Sequence, residues 1–521
     1  MEDITSRFKG YNDEQISIAL QSEFSISTSS SSTIKVIDDC RSLSSSTNSC
    51  IESLYTIVSD YNSEYLKDDS SVSLYNKVKQ GNPEAMFKLA VCFWKGNHVK
   101  KSQKHAIIWF RKAALAGHPD AQFNLALCYY DGKKGIEKNE KRALYWFSKA
   151  AKNNNVNAQF LLGEIYDVKK NEELAMKWYQ MAAEQGHSSS QFYLGLCYHT
   201  YAKKNIKKAI YWYKKAAEQN DPRAQYLLGT CYNDGNGVPV SKEEAFKYYS
   251  LAAENGNTDA QFNLGLSYAR GCGISRNPEL AVKWYREASK KGHISACVNL
   301  GICYEHGCGV ERDMDEAVKW YRIAADAGNS IAQFNLALCY ENGNYLEKDY
   351  FKAFYWYEKA AQQNELEAQY NLASCYAFGK GTDINYEKSI EWYRAAASNG
   401  CCRSQFNLGI FYFKGITVLK DYSHAVFWFR KSAGQGFTIA QFFLGLCYMK
   451  GKGVVADNYK ALEWFKKADE QNYEPAIVYI KKLEAANNRQ WFKYIKYLLK
   501  SKYSKNYKKY EKNNEIINLK Q

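Results

Sequence analysis

The chain has 521 residues, with 70 Lys and Arg against 55 Asp and Glu, a net charge of +15, and only 6 prolines. Hydrophobic residues make up 46% and charged residues 24%, which excludes collagen-like, proline-rich and wholly disordered chains. A single core stops growing at roughly 250–300 residues, so this apolar mass must serve several domains or a repetitive array, and the scarcity of proline favours uninterrupted helices.

Residues 1–70 carry 5 basic and 12 acidic side chains. Within them, residues 21–50 hold 12 Ser and 3 Thr. Such a stretch cannot bury a core, so 1–70 is expected to be a disordered, Ser-rich, acidic segment, either a phosphorylated regulatory tail or an inert linker. The opening residues lack a signal-peptide core, and no window of about 18 apolar residues occurs anywhere. The 15 cysteines are odd in number. These features read as a reduced intracellular chain, cytoplasmic with the nucleus left open.

From Ala85 onward the chain repeats. Residues 121–129 and 332–340 both read AQFNLALCY. Related blocks start at Ala85, Ala158, Ser190, Ala224, Ala260, Ala296, Ala368, Ser404 and Ala440, which makes eleven. From Ala224 on the spacing is a constant 36, and a degenerate twelfth start falls at Ala476. Each copy has a second block such as AVKWYRIAA at 317–325. Both blocks carry apolar residues at i, i+3, i+4, so each predicts one amphipathic helix. Residues 72–80 read as a lone second helix that covers the first repeat. Pro83, Pro119, Pro222 and Pro475 stand just before first helices, Pro278 just before a second helix, and Pro239 in a loop, where proline is tolerated. One helix pair cannot bury both stripes, but stacked pairs can. The expected fold is all-α, a right-handed alpha/alpha superhelix spanning 71–480. The residue after the recurring Leu is Gly seven times and Ala four times, small enough for the two helices of a pair to approach closely.

Gly-x-Gly recurs between the helices, as at Gly235–Gly237 and Gly379–Gly381. A phosphate cradle would need a preceding strand and a following Gly-Lys-Ser/Thr. Neither is present, so these glycines read as left-handed turns. Eight cysteines share one slot: Cys92, Cys128, Cys197, Cys231, Cys303, Cys339, Cys375 and Cys447. The same slot holds Ile165, Ser267 and Phe411 elsewhere, so it reads as a packing slot. Cys297, Cys303 and Cys308 lack the C-x-x-C spacing of a zinc site, and no metal or cofactor is expected. His118, His187 and His293 read as solvated turn residues. Ser6 and Lys9 form an isolated S-x-x-K string. No nucleophile, base and oxyanion set is legible, and the chain reads as a non-enzyme.

These blocks resemble the Sel-one-like repeat, a relative of the tetratricopeptide repeat, over residues 80–480. The pattern A-Q-x-x-L-G-x-x-Y, then G-x-G-V, then W-Y-x-K-A-A carries the resemblance. Tyr248 stands where Trp is usual, and Cys297-Val298 replace Gln-Phe. The resemblance implies an adaptor that binds partner polypeptides along a concave groove. Relatives also imply an alternative: a regulatory subunit activating a membrane-associated enzyme such as a chitin synthase, or a signalling adaptor working with a protein kinase. Relatives that pair cysteines within a repeat carry two per repeat. One is the rule here, so that pairing does not carry over. By the same resemblance, the two residues before the recurring Leu should lean into the groove. The first is aromatic in ten copies, including Phe123, Phe262, Phe334, Tyr370, Phe406 and Phe442. The second is Asn in six: Asn124, Asn263, Asn299, Asn335, Asn371 and Asn407. An amide offers two donors and one acceptor, so this ladder suits an extended peptide backbone. The competing reading places the amides in helix contacts and the aromatics in the core.

Residues 481–521 hold 12 basic and 3 acidic side chains. Trp491, Ile495, Leu498 and Leu499 form a stripe expected to cap the stack. The basic, aromatic segment 500–512 has three readings: a solvated tail, a contact with anionic membrane, or a contact with RNA. Oligomeric state is not legible.

Overall fold

The structure, a computed structural model, describes residues 77–96, 101–132, 136–201, 205–343 and 346–485, together with 493 and 497. The Ser-rich segment, the capping stripe at 491–499 and the basic tail lie outside the described residues. Every regular element among those described is a helix. Two compact units divide the chain after Lys291.

The first unit holds six helix pairs: α1 (Pro83–Lys95) with α2 (Gln103–Leu115), α3 (Pro119–Asp131) with α4 (Glu140–Lys152), α5 (Val156–Val168) with α6 (Glu172–Glu184), α7 (Ser188–Thr200) with α8 (Ile206–Glu218), α9 (Pro222–Asp234) with α10 (Lys242–Glu254), and α11 (Thr258–Arg270) with α12 (Pro278–Lys290). The second unit holds five: α13 (Ile294–His306) with α14 (Met314–Asp326), α15 (Ser330–Asn342) with α16 (Tyr350–Gln362), α17 (Leu366–Phe378) with α18 (Tyr386–Ser398), α19 (Cys402–Lys414) with α20 (Tyr422–Gly434), and α21 (Thr438–Lys450) with α22 (Asn458–Asp469). A last helix spans 474–485. It buries Ala476 and Leu483 against Phe442, Ala461 and Phe465.

Local chemistry sets these boundaries. Second helices start on Ser, Asn or Asp caps; Asp349 Oδ1, for example, accepts the amide of Lys352 at 2.9 Å, which satisfies a donor the helix cannot. Eight first helices start on an Asn, Asp or His cap, whereas α17, α19 and α21 start on Glu365, Cys401 and Phe437 with no side-chain cap bond. The histidines are not solvated turn residues, as their position after Gly suggested. His118 is 8% exposed, and its Nδ1 accepts the Ala121 amide at 3.3 Å. His187 and His293 cap Ser190 and Ala296 in the same way. An imidazole reaches the same amide as an Asn or Asp side chain, a role the sequence alone does not show.

First helices mostly end on a left-handed glycine. The amide of Gly379 donates to the carbonyl of Cys375, the recurring cysteine slot. The second glycine of the pair is needed for a different reason. A Cβ on Gly381 would lie 1.9 Å from the carbonyl oxygen of Tyr350, at the start of the preceding second helix. Both glycines of the pair take the left-handed conformation expected from sequence, and the second also clears the neighbouring backbone. In the two shortened repeats the ending changes: Lys169 caps α5, Tyr201 caps α7, and Lys170 takes a φ of 56°.

Candidate partner-binding face of the first helices

In the seven repeats with Gly after Leu, that Gly lies under an aromatic ring of the second helix. A Cβ on Gly163 would meet Tyr179 at 2.4 Å, and one on Gly409 would meet Phe429 at 2.6 Å. The rings are fully buried: Tyr179, Tyr213, Tyr321, Tyr357, Tyr393 and Phe429 are among the largest sealed side chains. Each contributes on the order of 1.5–3 kcal/mol by leaving water.

Against these rings pack the aromatics that the sequence offered as groove residues. Phe123 pairs with Phe147, Phe262 with Tyr285, Phe334 with Tyr357, Tyr370 with Tyr393, Phe406 with Phe429 and Phe442 with Phe465, at centroid separations of 5.5–6.0 Å. Phe123 and Phe442 are buried, and the other four are half-buried. They belong to the inter-helix core, with an edge left at the surface in the half-buried copies.

The asparagines follow a similar gradient. Asn124 is buried and donates to the Asp120 carbonyl of its own helix at 2.8 Å. Asn263 reaches the Tyr226 hydroxyl of the preceding repeat at 3.4 Å. Asn371 and Asn407 hydrogen-bond to the hydroxyls of Tyr357 and Tyr393; burial raises the pKa of both tyrosines, and these two hydrogen bonds only partly oppose it. Asn263, Asn299, Asn335, Asn371 and Asn407 are all half-exposed.

A second amide ladder went unrecognised in the sequence, although its residue recurs nine times. It is the Gln two positions before the Asn row, present in nine of the eleven repeats. Gln122, Gln159, Gln191, Gln225, Gln261, Gln333, Gln369, Gln405 and Gln441 are all buried. Each donates to the carbonyl eight residues earlier, at the end of the preceding second helix; Gln333 to Ala325, at 3.1 Å, is typical. Several also accept from the turn one repeat further on, as Gln333 does from Gln363 at 2.9 Å and Gln122 from Asn153 at 3.0 Å. A buried amide used from both ends ties two consecutive inter-repeat turns to one first helix, each bond contributing about 1 kcal/mol. The signal was the recurring Ala-Gln or Ser-Gln pair. Repeat one has Met86 and repeat seven has Cys297 in this place.

The polar side chains around the rings differ between units. In the second unit the Tyr321 hydroxyl donates to Glu305 at 2.5 Å and the Tyr357 hydroxyl to Glu341 at 2.6 Å. Lys380 also donates to Glu341, at 2.6 Å. Burial pushes the Glu341 carboxyl up, but these two hydrogen bonds outweigh it and hold it below its usual range. In the first unit, Glu164 occupies a row that is apolar in most copies. Burial pushes its carboxyl up to about 8, with Arg223 opposing and Asp167 reinforcing the shift. Its Oε2 has no hydrogen-bond partner. Burial, reinforced by Arg223, lowers His187 to about 4. The imidazole therefore stays neutral and keeps its acceptor for the cap. Tyr201 donates a short hydrogen bond to Asp167.

The cysteine slot is apolar in character. Cys231 is fully buried, and burial raises its thiol to about 12. Cys339 and Cys447 are raised to about 11. Such thiols stay protonated and are poor nucleophiles. Among the described residues, no three His, Cys, Asp or Glu side chains are grouped to hold a metal ion, and no helix is long and apolar enough to cross a membrane.

Stacked helix pairs closed by buried rings and amide rungs define a helical repeat solenoid of the tetratricopeptide-like class. The chain belongs to the Sel1 repeat family: eleven consecutive copies of the repeat match from 83–118 to 438–473, and each begins at the first residue of a first helix. The crystal structure of c5321, a protective antigen of uropathogenic Escherichia coli with an SLR fold, is 31% identical. It covers 80% of this chain and 91% of its own, with a TM-score of 0.73. A Sel1 repeat protein from Oxalobacter formigenes is 33% identical over 59% of this chain and 90% of its own, with a TM-score of 0.48. Cysteine-rich protein B of Helicobacter pylori is 28% identical over 26% of this chain and 96% of its own, with a TM-score of 0.21. No curated protein matches the chain. The Sel1 repeat is a scaffold fold typical of proteins that bind other proteins.

Proposed function

We propose that the chain is a non-enzymatic adaptor that holds partner polypeptides along the groove formed by its first helices. The observation that carries this is the row Asn299, Asn335, Asn371 and Asn407, half-exposed and 36 residues apart. One bond to a tyrosine hydroxyl uses one of an amide's three hydrogen-bonding positions, and the others suit an extended backbone. The half-buried edges of Phe334, Tyr370 and Phe406 add apolar contact beside the amides. The test is affinity capture with wild-type chain and the Asn335→Ala, Asn371→Ala double variant, read by mass spectrometry. Partner recovery should fall about tenfold, equivalent to two lost hydrogen bonds, with melting nearly unchanged. Equal recovery, or a large melting loss, removes the ladder.

A second reading is recruitment to a membrane-associated enzyme through the basic C-terminus, favoured by the 12 basic and 3 acidic residues of 481–521. It requires that removing residues 500–521 abolish co-sedimentation with anionic vesicles. A plain adaptor shows no change.

A further inference from the structure

The turn that ends a first helix recurs through the stack, and in one repeat two thiols line it. In six repeats the amide five residues beyond the cysteine slot donates back to the carbonyl of that slot, as Lys380 does to Cys375 at 3.1 Å and Cys272 to Ser267 at 3.0 Å. A left-handed glycine stands just before each donor, such as Gly379 and Gly271. In helix endings of this kind the two residues so tied commonly meet through their side chains.

Repeat seven is the copy in which both places are cysteine. The Cys308 amide donates to the Cys303 carbonyl at 2.9 Å, with Gly307 between them at a φ of 69°. Bond lengths along the path Cα–C=O···N–Cα then put the two Cα atoms less than about 7 Å apart, within the reach of a disulfide. Exposure sets this pair apart from the other cysteines of the slot. Those seven are buried, whereas Cys303 is half-buried and Cys308 is exposed. The two thiols also feel one another: burial first, and Cys308 after it, raise the Cys303 thiol to about 11. Cys308 is the thiol that a dissolved reagent meets first, and Cys303 stands behind it.

We propose that Cys303 and Cys308 are a dithiol that closes reversibly to a disulfide by exchange with a dissolved disulfide of the glutathione class. Cys308, as its thiolate, attacks one sulfur of glutathione disulfide. That S–S bond breaks, and one glutathione leaves as a thiolate and takes up a proton. Cys303 then gives its proton to solvent, attacks the Cys308 sulfur and expels the second glutathione, which is protonated in turn. Two protein thiols are oxidised, and one glutathione disulfide is reduced to two thiols. The new bond spans a turn that is already closed by hydrogen bonding, and its exposed sulfur leaves it open to reduction by the reverse route. Repeat six is the internal control. Cys272 holds the loop place there, but Ser267 holds the slot, so exchange stops at the mixed disulfide.

The test uses the full chain under native conditions. After millimolar glutathione disulfide and an acid quench, peptide mapping by mass spectrometry should find an internal Cys303–Cys308 bond and a retained glutathione on Cys272. In Cys303→Ser the glutathione should stay on Cys308, about tenfold more abundant than on Cys308 of wild type, because no neighbouring thiol displaces it. Ser267 fills the same slot in repeat six, so this variant carries a residue the fold accepts. Cys308→Ser, a change at an exposed position, should abolish the internal bond and leave Cys303 largely free of glutathione. Dithiothreitol should return both wild-type thiols. A glutathione stably held on wild-type Cys308, a bond from either cysteine to Cys297 or to a second chain, or no reaction at either thiol would overturn the proposal.

Discussion

The two units share one repeat pattern and use it differently. In the second, a buried tyrosine hydroxyl meets a carboxylate from the first helix of its own repeat, as Tyr321 meets Glu305 and Tyr357 meets Glu341. The Glu341 carboxyl is supported further by Lys380. In the first unit, a carboxylate stands in a usually apolar row with one oxygen unpartnered, at Glu164, and a histidine caps a helix while half-buried, at His187. A common backbone plan therefore does not imply a common response to pH, because pH acts on whichever groups the plan buries.

Substitutions separate what the units share from what they do not. The largest effect should be common to both. Gly163→Val and Gly409→Val each drive a side chain into a buried ring and should cost about 3 kcal/mol, read as a lower denaturation midpoint. A large loss in one unit only would break the shared plan. Gln159→Leu and Gln333→Leu should each cost about 2 kcal/mol, since each leaves buried hydrogen-bonding partners unmet.

Glu164→Gln should act in the opposite direction, raising stability by about 1–3 kcal/mol at pH 8. The sign follows from linkage. With a folded pKa of about 8, above its unfolded value, the native state holds the proton more tightly, and stability falls as pH rises from about 4.5 to 8. Below pH 4 the variant should match wild type. In the second unit, Glu341→Gln should destabilise by about 1 kcal/mol at neutral pH. The folded pKa of Glu341 is depressed, so its contribution is complete above about 4.5 and is lost as pH falls through the folded value. The smallest effect is that of His187→Asn, which keeps a capping acceptor and should remove the loss of stability that accompanies acidification from about 6.5 to 4. Denaturant titrations across this range check all three.

Helix positions, the Gly or Ala slot under the ring, the left-handed turn glycines and the apolar cysteine slot were legible in the sequence. Each follows from local geometry repeated eleven times. The face of each amide was not legible. Gln333 and Asn335 recur with the same period, but residues two apart on a helix point about 200° apart. One is buried between repeats and the other is half-exposed, and periodicity cannot say which. The capping role of His118, His187 and His293 was hidden for a related reason, since only the neighbouring amide shows that the imidazole serves as an acceptor.

By itself, the sequence determined the repeat, its helix pair and its small-residue contacts, because these depend on neighbours within about 36 residues. Only the tertiary structure decided which rows are sealed, which amides are spent on the stack and which carboxylates are held away from their usual pKa. Those properties depend on desolvation by side chains from adjacent repeats, and burial is set by what lies across a contact rather than by the residue's own position in the chain.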